Sequence, residues 1–95
     1  MNRYAKGANR ERAWIKRLMN SGALWAGRTA GSHSAIDVAS VFPDGTRLYQ
    51  IKAGTAKMSQ AESCALVELA RAMPDGVDVY AVHWKDREEP DVLKV

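Results

Sequence analysis

Three charged residues stand where an ordinary core would exclude them. Asp37 interrupts the most apolar run of the chain, residues 35–42. Glu11 precedes Ile15 by one helical turn and Leu18 continues the stripe, which puts the carboxylate on the rim of a core-facing side. Lys52 follows Gln50 by two residues, so in a strand their side chains share a face. Burying a carboxylate is costly unless it is paired or binds a metal. Singly, each residue has a plain explanation: an arginine on the same helix for Glu11, loop amides at a strand end for Asp37, a solvated strand end for Lys52. Together, beside a Gly-Ser loop and a basic helix, two acids, an amide oxygen and an ammonium make a metal-plus-phosphate arrangement.

Phosphodiester hydrolysis asks for those residue types. A hard divalent cation lowers the pKa of the attacking water and neutralises charge building on the phosphate. Mg2+, for which Mn2+ can substitute, takes oxygen ligands and keeps several waters, so two carboxylates and a carbonyl or two suffice. An ammonium beside it orients the nucleophile or offsets the growing negative charge.

The elements that must deliver this set are legible in outline. Residues 8–20 read as a helix, with Ile15, Leu18 and Met19 at helical spacing and Gly22 as its stop. Residues 23–28 read as a first strand, followed by the small polar loop Thr29-Ala30-Gly31-Ser32-His33-Ser34. Residues 35–42 and 47–52 form a hairpin across Pro43-Asp44-Gly45-Thr46, the former strand apolar enough to be covered on both faces. Ser59 and Glu62 make a capping box opening a helix to Met73, and residues 77–84 are a last strand. The order α-β-β-β-α-β gives an α/β fold, a mixed central β-sheet with flanking helices.

Ninety-five residues make a single domain, 1–95, with a basic segment at 1–7 and an acidic, ragged tail at 86–95. The first seventeen residues carry Arg3, Lys6, Arg10, Arg12, Lys16 and Arg17 against Glu11 alone, while the rest of the chain is slightly acidic. Such a concentrated cationic end is the footprint of a polyanion binder, or else a solubilising segment. No apolar run approaches the roughly 20 residues of a membrane span, and the first residues lack the apolar stretch of a secretory signal. Cys64, the single cysteine, can form neither an internal disulfide nor a zinc cluster, which fits a reducing, cytoplasmic setting.

Gly7-Ala8-Asn9-Arg10-Glu11-Arg12, Arg28-Thr29-Ala30-Gly31-Ser32, Ile36-Asp37-Val38-Ala39 and Gln50-Ile51-Lys52 occur in that order. This series resembles the archaeal-type Holliday junction resolvases of the PD-(D/E)XK nuclease superfamily, from about Lys6 to Trp84. The motifs are short, and their order and spacing carry the likeness. The resemblance implies a restriction-endonuclease-like core and a magnesium-dependent, structure-specific DNA endonuclease. It implies Glu11, Asp37 and the position of Gln50 as metal ligands with the Ile51 backbone carbonyl, Lys52 as the catalytic lysine, and Ser32 as a group positioning the scissile phosphate. Arg3, Lys6, Arg10, Arg12, Lys16, Arg17, Arg28, Ser32 and His33 are the expected contacts to branched double-stranded DNA. A homodimer would place two such sites on opposite strands of a four-way junction.

Gln50 stands where the family usually has an acid, and Ile36 where a proline commonly precedes the aspartate. The amide keeps a coordinating oxygen but removes a negative charge, which weakens metal affinity. Two other readings follow. Met58-Ser59-Gln60 faintly echoes a motif of virus-type repair nucleases, which act on flaps or other branched DNA, and so compact a chain would suit a virus. Gln50 also motivates a DNA-binding module without catalysis. Register offers a geometric test. A four-residue turn puts Phe42 opposite Arg47, and Asp37 and Gln50 on one face, whereas a three-residue turn sends Asp37 to the other side. The nuclease reading therefore requires an even register or a compensating bulge.

Overall fold

The computed structural model describes residues 3–29 and 35–95, with side chains from Ala8 onward. Two helices sandwich one mixed sheet. In chain order the elements are α1 (Arg3–Asn20), β1 (Trp25–Arg28), β2 (Val38–Phe42), β3 (Gly45–Ala53), α2 (Gln60–Ala72), β4 (Val77–Trp84) and β5 (Asp91–Lys94). The strands lie in the order β1-β2-β3-β4-β5, with only β3 and β4 parallel, joined by the α2 crossover. The predicted α-β-β-β-α-β order is present, and a fifth strand extends it.

Both helices end where local chemistry dictates. At the end of α1, Gly22 adopts φ 106°, while Ala23 N–H donates to Leu18 C=O at 3.1 Å and Gly22 N–H to Met19 C=O at 3.3 Å. This double closure is a Schellman motif, and Ala23 and Leu18 both enter the core beneath it. α2 opens on the expected box: Glu62 N–H donates to Ser59 Oγ at 3.1 Å, and Ser59 N–H to Glu62 Oε1 at 3.0 Å. α1 starts five residues before the predicted residue 8, because its first turns carry the basic segment and no apolar stripe to announce it.

The period-two alternation of β3 assigns one row of side chains to each helix. Tyr49 and Ile51 join Trp14 and Leu18 of α1, together with Val38, Phe42 and Val82. On the opposite face Leu48, Ala81 and Val79 pack with Leu66 of α2 and with Ile36. Gln50 and Lys52 belong to that second row, lying beside Ala81 and His83 of β4.

Two predictions need correction. The hairpin loop is two residues, Pro43-Asp44, not four, since Phe42 pairs with Gly45 and Val38 with Tyr49. The offset remains even with partners shifted by two, so extending the register would put position 37 on the Gln50 face, although the observed pairing stops at Val38 and Tyr49. Gly45 permits the tight loop: at φ 153° a Cβ here would meet the carbonyl oxygen of Gly76 at 2.5 Å. Nor is the tail from residue 86 ragged throughout, because Asp91–Lys94 form β5 against Tyr80–His83. All four β5 residues are exposed, so the strand is held by its backbone ladder and leaves no burial pattern to read.

Candidate active site

Asp37 sits where the β2–β3 ladder ends. Its N–H donates to Tyr49 C=O at 2.8 Å, offset by one from the register, and its carboxylate Oδ2 accepts the Ile51 N–H at 2.8 Å. The side chain thus supplies the acceptor that a continuing β2 carbonyl would have offered to β3. Thr29, at the end of β1, holds the same corner: its N–H donates to Asp37 C=O at 3.0 Å and its hydroxyl to Ile36 C=O. Burial pushes the Asp37 carboxyl pKa up. The Ile51 N–H opposes that rise, the charge of Glu11 adds to it, Lys52 opposes it and Glu62 adds.

Gln50 and Lys52 converge on a residue that the motif reading passed over. Lys52 Nζ lies 2.6 Å from Glu62 Oε2, and Gln50 Nε2 donates to the same oxygen at 3.5 Å. Glu62 divides its carboxylate, Oε1 closing the capping box and Oε2 facing the strand. Its pKa falls to about 2, chiefly through the Lys52 hydrogen bond and then the Ser59 N–H. Gln50 is 7% exposed, and its Oε1 has no hydrogen-bond partner among the described residues. The signal for Glu62 was available but indirect. A crossover between parallel strands starts its helix beyond the C-terminal end of the first strand, which is where Lys52 lies.

Glu11 approaches from the other side of the sheet. Its Oε1 accepts from Arg28 Nε at 2.8 Å, and Arg28 pairs with Val38, whose row faces α1. The arginine partner foreseen on its own helix is therefore on β1. The structure joins Asp37 to Ile51 directly, joins Gln50 and Lys52 through Glu62, and leaves Lys52, Glu62 and Glu11 within electrostatic reach of Asp37. Among the described residues no three His, Cys, Asp or Glu side chains are grouped closely enough to hold a metal by themselves. An amide or backbone oxygen must complete any such set. The donors present are oxygens, and the orphaned Gln50 Oε1 is a buried acceptor without a donor among the described residues, so the residues fit a hard cation of the Mg2+ kind.

The predicted DNA contacts fare unevenly. Ser32 and His33 lie outside the described residues, as do the side chains of Arg3 and Lys6. Arg10 pairs with Asp86 at 3.1 Å and Arg17 with Glu89 at 2.7 Å, and both guanidinium groups stack over Trp84. The acidic tail thus engages two of the helix cations. Arg12 bonds Asn9, and Arg12 and Lys16 remain exposed. Beyond Lys52 runs an open groove of about 430 Å³, whose lining includes Lys57, His83 and Lys85 as well as Asp91. No described helix is long and apolar enough to cross a membrane.

No protein-family model matches the sequence, and no curated protein sequence does either. Among solved structures the chain is similar to Archaeoglobus fulgidus Hjc, a Holliday junction resolvase from an archaeal hyperthermophile. The TM-score is 0.75 at 23% identity, over 94% of this chain and 72% of that one. At that identity the likeness is one of fold, and it falls on the same group of proteins that the four short motifs resemble: this chain has the α/β fold of an Hjc-like nuclease.

Proposed function

We propose that this chain is a magnesium-dependent DNA endonuclease of the Holliday junction resolvase type, cutting four-way junctions as a homodimer. The observation that carries the reading is the corner at the end of β2 and β3. There a half-buried Asp37 bonds the Ile51 N–H within electrostatic reach of the Lys52 ammonium, and Ile51 lies on the same strand between Lys52 and the orphaned Gln50. A core would gain nothing from that set.

The divalent ion, when bound, would acidify a water and neutralise phosphate charge. The oxygens to hold it are those of Asp37 and Gln50, with Glu11 and the Ile51 carbonyl as the family resemblance implies. Asp37 is fixed for this by the Ile51 N–H, so its free oxygen stays aimed without a rotamer search. Lys52 Nζ would leave Glu62 to donate to a non-bridging phosphate oxygen or to the attacking water, offsetting charge as the P–O bond breaks. Ser32 and the residue 3–17 cations would hold backbone phosphates. Because such contacts carry no base information, recognition would follow DNA shape and fall steeply with salt.

Gln50 favours one competing reading, a DNA-binding module that does not cleave. Cleavage of labelled four-way junction, flap and linear duplex side by side, with Mg2+ and with chelator, separates the readings. Mg2+-dependent cutting restricted to the junction supports the proposal. Preferential cutting of flaps moves it to the repair-nuclease type, and binding without turnover leaves the module.

A further inference from the structure

The position of Gln50 lacks a charge that the proposed chemistry needs, and α2 brings one to the same place. Glu62 Oε2 stands 2.6 Å from Lys52 Nζ and 3.5 Å from Gln50 Nε2. Its backbone belongs to the first turn of a helix fixed by its own cap, so the carboxylate is delivered by a rigid element. Since the Gln50 amide turns its nitrogen toward Glu62, its carbonyl oxygen turns away. That oxygen is buried, with no donor among the described residues. The next residue along β3, Ile51, holds the carboxylate of Asp37. The carboxylates of Asp37 and Glu62 lie within electrostatic reach of each other, so once the Gln50 amide rotates its unpartnered oxygen toward them the three make an oxygen-donor set short of its cation.

We infer that Glu62 supplies the third charge of the metal site: a divalent, oxygen-preferring cation is held by Asp37, Gln50 Oε1 and Glu62, the carboxylate having moved from β3 to the first turn of α2. The inference rests on the nuclease reading and adds a ligand that the strand motif does not contain. Without the cation, Lys52 neutralises Glu62. With it, Lys52 is displaced toward the phosphate, so one contact both stores the ligand and positions the ammonium.

The substitution Glu62→Gln tests this cleanly, because glutamine at the same place still closes a capping box and the helix start is retained. Mn2+ affinity, read by calorimetry without DNA, is compared for wild type, Asp37→Asn, Glu62→Gln, Gln50→Glu and the double variant Gln50→Glu/Glu62→Gln. Glu62→Gln is repeated in a Lys52→Met background, where no freed ammonium can repel the ion. The inference predicts at least about a tenfold loss of affinity for Glu62→Gln in both backgrounds. It also predicts recovery to near wild type when Gln50→Glu restores the charge on the strand. Wild-type affinity in Glu62→Gln, with affinity lost in Asp37→Asn, overturns the role of Glu62 and leaves the nuclease reading standing. Loss in Glu62→Gln that disappears in the Lys52→Met background also overturns it, making Glu62 a residue that positions Lys52 only. If wild type binds no Mn2+ and Asp37→Asn is indistinguishable from it, the nuclease reading itself falls.

Discussion

Replacing Asp37 by asparagine should make the protein more stable while abolishing cleavage. The carboxylate is half-buried, and burial is the largest influence on its pKa, which lies above the ordinary 3.8. At neutral pH the folded chain therefore carries a charge that it would hold more comfortably as the neutral acid. Asparagine removes the charge and keeps an oxygen for the Ile51 N–H. Exchanging a charged acceptor for a neutral one sacrifices about 1 kcal/mol. The desolvation of a carboxylate, even half-buried, outweighs that. A net gain of about 0.5–2 kcal/mol is the usual yield when a functional strain is released. For a domain of this size that raises Tm by roughly 4–8 °C per kcal/mol. The pH dependence fixes the cause. Below the unfolded-state pKa both side chains are neutral and wild type has its full stability; as pH rises through the higher folded value, wild type loses stability and asparagine does not. The gain must therefore be absent near pH 3 and grow as pH rises above the ordinary carboxylate range, read by thermal melts across pH. Mn2+ should reverse the order, stabilising wild type by about 2.7 kcal/mol at a hundred times its Kd and leaving Asp37→Asn unmoved. A lower Tm for Asp37→Asn at pH 7, or a gain independent of pH, would refute the reasoning.

Other outcomes follow from separate parts of the molecule. Glu62 has its pKa depressed to about 2, so its pairing stabilises the fold above pH 4.5 and is lost as pH falls toward 2. The pair is partly exposed and worth at most about 1 kcal/mol, so urea midpoints for Glu62→Gln should differ from wild type at pH 6 and converge below pH 2. Gly45→Ala forces a Cβ to 2.5 Å from the Gly76 carbonyl oxygen at φ 153°, and should cost about 1–3 kcal/mol, seen as a lower Tm. The double variant Asp86→Asn/Glu89→Gln frees Arg10 and Arg17 from the tail. It should tighten binding to a four-way junction and steepen the dependence of log K on log salt by roughly one to two. An unchanged slope would show that these arginines never meet phosphate.

Local chemistry announced itself in the chain, and long-range placement did not. Gly22 and the Ser59–Glu62 box act within a few residues, and both are found as predicted. Residues 77–84 alternate because β4 contacts a helix on each face, and their bounds match. β5 pairs through its backbone with every side chain exposed, so no pattern of burial could reveal it. A four-residue hairpin loop is the expectation because Pro43-Asp44-Gly45-Thr46 is uniformly turn-forming, whereas the pairing of Phe42 with Gly45 and the Thr46 N–H bond to Gly76 C=O put Gly45 in the strand. At the site, Asp37, Gln50 and Lys52 were legible as candidates because charged and polar residues interrupt apolar strands, while the register that relates them is set by the two-residue loop that only the structure shows. Glu62 escaped notice because its cap explained it completely at the local level, while its second oxygen acts ten residues away on β3. For Glu11, expected as a metal ligand, the plain alternative was an arginine of its own helix, yet β1 passes nearer and Arg28 takes the carboxylate.

The account stands on Asp37 belonging to a catalytic centre rather than to a strand end. The direct measurement follows binding and cleavage of a labelled four-way junction by wild type and Asp37→Ala in the same samples with Mg2+. Retained binding with cleavage reduced to the level of the chelator control is the result predicted. Cleavage by Asp37→Ala at the wild-type rate would contradict it.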